Sequence, residues 1–135
     1  DGITSIRIKS SRMLMAYGFM SQVFEVFDRF KTSVDLVTTS EIGVSLTIDN
    51  PKHLEEILTG LKKFSSVEVH SDLVIIAVVG DMAWDNIGFE SKVVEALEDV
   101  PVRMIAYGGS NYNISILVKA EDKIRALKAL SAKLF

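Results

Sequence analysis

This chain says nearly the same thing twice, and that repetition limits its fold more than anything else in it. Gly18-Phe19-Met20-Ser21, an amphipathic run and then Ser33-Val34-Asp35-Leu36-Val37-Thr38 return as Gly88-Phe89-Glu90-Ser91, a second such run and Val102-Arg103-Met104-Ile105-Ala106. Both copies end alike. Val44-Ser45-Leu46-Thr47-Ile48 leads into a helical pattern from Pro51, and Ile114-Ser115-Ile116-Leu117-Val118 leads into one from Glu121. A unit of about 70 residues that reads strand, helix, strand, strand, helix is one small α/β module, so two related modules in tandem are expected. Repeated small modules of this kind usually bind or regulate.

With 135 residues, 48% of them hydrophobic, the chain can bury one real core or two small ones, as a tandem repeat requires. A formal net charge of -3 offers no basic stripe for phosphate backbones and argues against nucleic acid as a partner. The absence of Cys removes disulfides, thiolate metal sites and a cysteine nucleophile, and points to a reducing, cytoplasmic setting. Leu73-Val74-Ile75-Ile76-Ala77-Val78-Val79, the longest apolar run, falls well short of the roughly 20 residues that span a bilayer and reads as a buried strand. No membrane association is expected. Asp1-Gly2 opens the chain without Met or a signal-peptide pattern, as a piece cut from a longer protein would.

Ile3, Ile6 and Ile8 predict a first strand, after which Ser10-Ser11-Arg12 begins a loop ending at Gly18. Phe19, Val23, Phe24, Val26, Phe27 and Phe30 recur at helical spacing, with Gln22, Glu25, Asp28 and Arg29 on the wet side. Ser33 to Thr39 and Val44 to Ile48 read as strands joined by Ser40-Glu41-Ile42-Gly43, a connection that suits a hairpin. At Asp49-Asn50-Pro51, Asn50 can cap free amides and Pro51 sits where no amide is needed, so a helix is expected to start there. Leu54, Ile57, Leu58 and Leu61 are its buried stripe. Val67 to His70 alternates as a strand, and Leu73 begins the second module. Its helix runs from Gly88 to Leu97, Pro101 stops it, two strands follow, and Ile124, Leu127, Leu130 and Leu134 mark a last helix. Only Ser71-Asp72 separates the modules, so they should pack as one rigid body.

Groups for catalysis are few. His53 stands at the polar start of a helix and His70 in a strand, neither with the Cys or spaced carboxylates of a metal set, so solvated or capping roles are expected. No Ser, His and Asp constellation is visible, Gly108-Gly109-Ser110 reads as a hairpin turn, and Met13, Met15 and Met20 read as packing residues. The unusual segment is Ser33 to Glu41, where acids and hydroxyls punctuate an apolar strand. Asp is disfavoured in strands, and a partly buried carboxylate needs a cation or several donors. Two readings stand: Asp35 points to water from an edge strand, or it helps to form a site. In the second, the first amides of the helix at Phe19 and Met20 hold a carboxylate, while Asp35 and Glu41, with Thr39 and Ser40, hold ammonium groups. Such a pocket is the negative image of a free amino acid, and its two acids favour a basic one.

These residues resemble a known family. Met13-Leu14, Gly18-Phe19, Val23-Phe24, the motif from Ser33 to Glu41, Arg103 to Gly108, Ser110, Asn113 and the terminal Leu134-Phe135 are similar, in order, to the C-terminal regulatory region of aspartate kinases, a pair of ACT modules. The likeness covers essentially the whole chain, and the Ser33 to Glu41 motif is its most specific part. The resemblance implies two α+β sandwiches, ferredoxin-like βαββαβ modules with antiparallel sheets and helices on one face. Residues 1–72 would form the effector-binding module and residues 73–135 an architectural one. The parent enzyme would use ATP and Mg to phosphorylate the β-carboxylate of aspartate, through a kinase domain upstream of Asp1. The present chain would not catalyse and would need no cofactor. In lysine-sensitive members the effector lies near the dimer interface. It is contacted there by positions matching Met13, Ala16, Gly18, Phe19 and Met20 on one side, and Ser33, Val34, Asp35, Thr39, Ser40 and Glu41 on the other.

Within that family Ala16 stands where some relatives carry Ser, which removes a hydroxyl contact. Threonine-sensitive relatives tend to have an apolar residue at the Asp35 position, which favours lysine here. Arg103 occupies the Asp35 position of the second copy and Gly108-Gly109 lies near the Ser40-Glu41 positions, so a second lysine site is not expected. The family topology inserts the first module within the second, whose remaining strand would precede Asp1 and whose open sheet edge would otherwise invite pairing. A homodimer through side-by-side sheets is implied. The leading expectation is feedback inhibition by L-lysine. The competing ones are a dimerisation module that binds no ligand, a threonine-responsive domain, and a free-standing enzyme, for which no acid, base or nucleophile set is present.

Overall fold

The computed structural model of the chain describes residues 2–10, 18–40, 42–79, 88–107 and 113–134. Its contacts divide the chain into two units, Gly2–Ser71 and Asp72–Phe135. Each is an antiparallel sheet with helices packed on one face.

The first unit runs β1 (Ile3–Ser10), α1 (Phe19–Arg29), β2 (Val37–Thr39), β3 (Gly43–Ile48), α2 (Leu54–Leu61) and the first half of β4 (Ser65–Val79). The strands lie in the order β2-β3-β1-β4, the full ferredoxin-like arrangement. Register follows from alternation. Ile6 pairs with Leu46 and Ile8 with Val44, so these side chains leave the sheet on the helix face together. There they meet Val23, Val26 and Phe27 of α1 and Ile57 and Leu61 of α2 in one core. Phe27, Ile57 and Leu61 are fully or almost fully buried, and truncating such a side chain to Ala costs about 2–5 kcal/mol.

The second unit repeats this plan with the second half of β4, then α3 (Phe89–Ala96), β5 (Met104–Ala106), β6 (Asn113–Lys119), a 3-10 turn over Ala120–Asp122 and α4 (Lys123–Leu134). Strand order is β4-β6-β5. Val74, Ile76 and Val78 join Ile114, Ile116 and Val118 beneath Val93, Leu97, Ala126 and Leu130.

Three elements differ from the sequence expectation. Ser33 to Thr39 contributes only Val37–Thr39 as strand, because Asp35 and Leu36 both face the single residue Thr47. The Asp35 N–H donates to the Thr47 carbonyl at 2.8 Å, the Thr47 N–H donates to the Leu36 carbonyl at 3.0 Å, and the Leu36 N–H donates to Thr47 Oγ1 at 3.0 Å. Two residues opposite one is the pattern of a β-bulge, and it interrupts the ladder. The helix expected from Pro51 begins at Leu54 instead. Asn50 Oδ1 accepts from the Lys52 N–H at 3.1 Å, a local turn that uses up the capping oxygen before the helix starts. Finally, β4 is continuous through Ser71-Asp72. Asp72 takes a left-handed conformation there, φ 56, which Asp tolerates better than most residues.

Candidate effector site

The helix start that the sequence singled out is built by a glycine. Gly18 sits before α1 at φ 85, a conformation that costs a residue with a Cβ roughly 1–2 kcal/mol. Its carbonyl accepts from the Gln22 N–H at 3.0 Å. No side chain caps this end and no acid lies in the first turn, so the positive end of the helix is left to other partners. Phe19 fixes the helix entry: its ring is buried and meets Phe64 edge-on, centroids 5.9 Å apart. Met20 is half-buried against the same core.

The second half of the site lies on the edge of the sheet, since β2 is the outermost strand of the first unit. Val34 packs on the core, while Ser33, Asp35, Thr39 and Ser40 are exposed. The Ser40 N–H donates to the Gly43 carbonyl at 2.9 Å, and the Ser10 N–H to the Ile42 carbonyl at 2.8 Å. Thr39 and Ser40 are thereby held beside the end of β1, from which the chain departs toward α1. Asp35 lies four residues before Thr39, beyond the bulge that ends the regular ladder. Met13, Ala16 and Glu41 lie outside the described residues.

Asp35 reaches water, yet its carboxyl is held above the ordinary carboxylate range, first by desolvation against the protein on one flank and second by the charge of Asp49. Asp49 was read in the sequence only as part of a helix start. Its proximity to Asp35 follows from the bulge, which joins Asp35 to Thr47 two residues before Asp49. No linear pattern marks that pairing. The two carboxylates make a locus of negative charge that an ammonium group would relieve.

The second unit repeats the backbone and inverts the charge. Gly88 precedes α3 at φ 89, again without a side-chain cap, and the Arg103 N–H donates to the Leu117 carbonyl at 2.8 Å as Asp35 does to Thr47. A guanidinium therefore stands where the first unit has a carboxylate, and its Nε is buried without a hydrogen-bond partner. An ammonium group gains nothing there. Gly108 and Gly109 lie outside the described residues.

Instead of capping or standing free, each histidine pairs with an acid close by in sequence: His53 Nδ1 is 2.7 Å from Glu56 Oε2 at the start of α2, and His70 Nε2 is 2.6 Å from Glu68 Oε1 on β4. Among the described residues no group of His, Cys, Asp and Glu is placed to hold a metal ion, and no helix is long and apolar enough to cross a membrane.

Comparison with known proteins decides the family. An ACT domain profile matches residues 76–134. A solved structure from Porphyromonas gingivalis W83, described as a C-terminal regulatory domain of aspartate kinase, superposes with a TM-score of 0.91 and 55% identity. The match covers 100% of this chain and 93% of that one. The chain belongs to the regulatory ACT domains of aspartate kinases. Such an ACT pair is also similar to the corresponding part of Escherichia coli aspartokinase III in complex with lysine and aspartate (T-state), with a TM-score of 0.85 and 34% identity over 99% of this chain and 32% of that one. In sequence it is 34% identical to the lysine-sensitive aspartokinase 3 of Escherichia coli K12, over 98% of this chain and 31% of the relative. The regulatory domain thus spans less than a third of that relative's length. What matches is regulatory rather than catalytic.

Proposed function

We propose that this ACT pair senses L-lysine in its first unit and transmits feedback inhibition to an aspartate kinase domain in a cytoplasmic parent enzyme. The observation that carries this reading is the polarity of the first unit. It has an uncapped helix start at Gly18-Phe19-Met20 and, down the edge strand, an acid at Asp35 reinforced by Asp49. The α-carboxylate docks on the amides of the α1 start. Thr39, Ser40 and Glu41 hold the α-ammonium, and Asp35 takes the side-chain ammonium. Charge-assisted hydrogen bonds of roughly 1.5–3 kcal/mol each, less the entropy lost on binding, give micromolar to millimolar affinity.

Because β2 is a sheet edge, a second copy aligned side by side lies next to this site, and lysine there acts by favouring one arrangement of the homodimer. A preference of about 1–3 kcal/mol suffices for regulation. The catalytic half of the parent would bind ATP, Mg and aspartate. Titration calorimetry with lysine, threonine and methionine tests the reading. Saturable heat with lysine alone is expected, heat with threonine alone would reassign the effector, and silence with all three would leave only a dimerisation role.

A further inference from the structure

We propose that the face of the first unit's sheet opposite the helices carries a second site, which binds a phosphate group. Pairing of β1, β3 and β2 sets Arg7, Ser45 and Thr38 in one cross-strand row, with Lys9 and Gly43 in the next. The alternate residues Ile8 and Val44 enter the core, so this row leaves the sheet on the other side. Ser40 closes the second row through its bond to Gly43. Gly43 brings no side chain to the middle of this group, and a cavity of ≈ 150 Å³ results, lined by Arg7, Lys9, Thr38, Ser40, Gly43 and Ser45. A Cβ at residue 43 would collide with the Ile8 carbonyl oxygen, so the depression is tied to glycine by the closeness of the strands.

The polar part of the lining is two cations with the hydroxyl residues Thr38, Thr39, Ser40 and Ser45, and Ile8, Ile42 and Val44 complete the wall. Among the described residues no salt bridge engages Arg7 or Lys9. The acid that feels both is Glu68 on β4, and its carboxylate is already held by His70 at 2.6 Å. Among the described residues the balance at the cavity is positive. A guanidinium fork, an ammonium and hydroxyl donors suit an anion with three or four oxygens better than the two of a carboxylate. The volume admits the phosphate group itself, while the rest of a phosphorylated metabolite would lie outside.

The chain, titrated at constant ionic strength with inorganic phosphate and, separately, with AMP and glycerol phosphate while amide NMR signals are followed, tests this. Saturable shifts at Arg7, Lys9, Thr38, Ser40 and Gly43 in the millimolar range are expected. Combining Arg7→Gln with Lys9→Gln should weaken binding about ten-fold or more, and Glu68→Gln should strengthen it by roughly two- to five-fold by removing a competing charge. Tighter binding of the organic phosphates identifies a metabolite, and equal binding identifies free phosphate. Shifts that never saturate, or affinity unmoved in both the double variant and Glu68→Gln, would overturn the site. Ser40 serves both sites, but Asp35 belongs to the lysine site alone and Arg7 and Lys9 to this one alone, so Asp35→Asn and the Arg7→Gln, Lys9→Gln double variant distinguish failure of one site from failure of the other.

Discussion

Asp35 carries the most consequence of any single residue. Replacing it with Asn keeps the shape and removes the charge, so lysine affinity should fall by about ten-fold or more, the worth of one charge-assisted bond, with the fold unchanged by circular dichroism. Equal calorimetric affinity for the variant would defeat the assigned role. The raised carboxyl also gives a pH signature. Lysine needs Asp35 ionised, and its proton is held more tightly than in an ordinary carboxylate, so affinity should decline on acidification from neutrality earlier than an unperturbed Asp predicts. Asp35→Asn should flatten that dependence. Linkage to folding has the opposite sign to the usual carboxylate. The folded state binds this proton more strongly than the unfolded one, so Asp35's share of stability grows as pH falls through the window between the unfolded and the raised folded value. Gly18 is the other residue whose identity is dictated by its backbone: Gly18→Ala should lower stability by roughly 1–2 kcal/mol in urea unfolding.

Among the elements, the short edge strand β2 depends on one buried hydroxyl. Thr47 is fully buried and its Oγ1 accepts from the Leu36 N–H, which the bulge has taken out of the ladder. Thr47→Val preserves volume and strands that amide, so a loss of about 1–3 kcal/mol in chemical denaturation is expected, together with weaker lysine binding because Asp35 is set by the same bulge. A variant as stable as the parent would show that water or a shifted strand replaces the bond. The second unit has Leu117 at this place and likewise sets two residues, Arg103 and Met104, opposite it, so the hydroxyl is a feature of the first unit rather than of the fold as such.

For the molecule as a whole, the two units differ in strand number among the described residues: Gly2–Ser71 holds four strands, two helices and a core of its own, whereas Asp72–Phe135 holds three strands around another. Residues 2–71 expressed alone should unfold cooperatively on heating. A featureless melt would mean that the first core needs its neighbour. Sedimentation of the full chain should show a dimer whose association tightens or loosens with lysine, since a ligand shifts an assembly only through unequal affinity for its states.

Much of this was legible in the chain itself. The doubled pattern, the helix faces from Phe19 to Phe27 and the alternation of Ile6 and Ile8 follow from period and polarity, which are local properties of sequence, and so does the Gly that begins each first helix. The inverted charge at Arg103 is equally plain from aligning the two copies. Tertiary structure alone decided the shortening of β2, the late start of α2, the approach of Asp49 to Asp35 and the cavity over Gly43. Each depends on which residue of a neighbouring strand lies opposite, and register is a relation between segments distant in sequence. Periodicity says which way a side chain faces, but only the paired strand says what it meets.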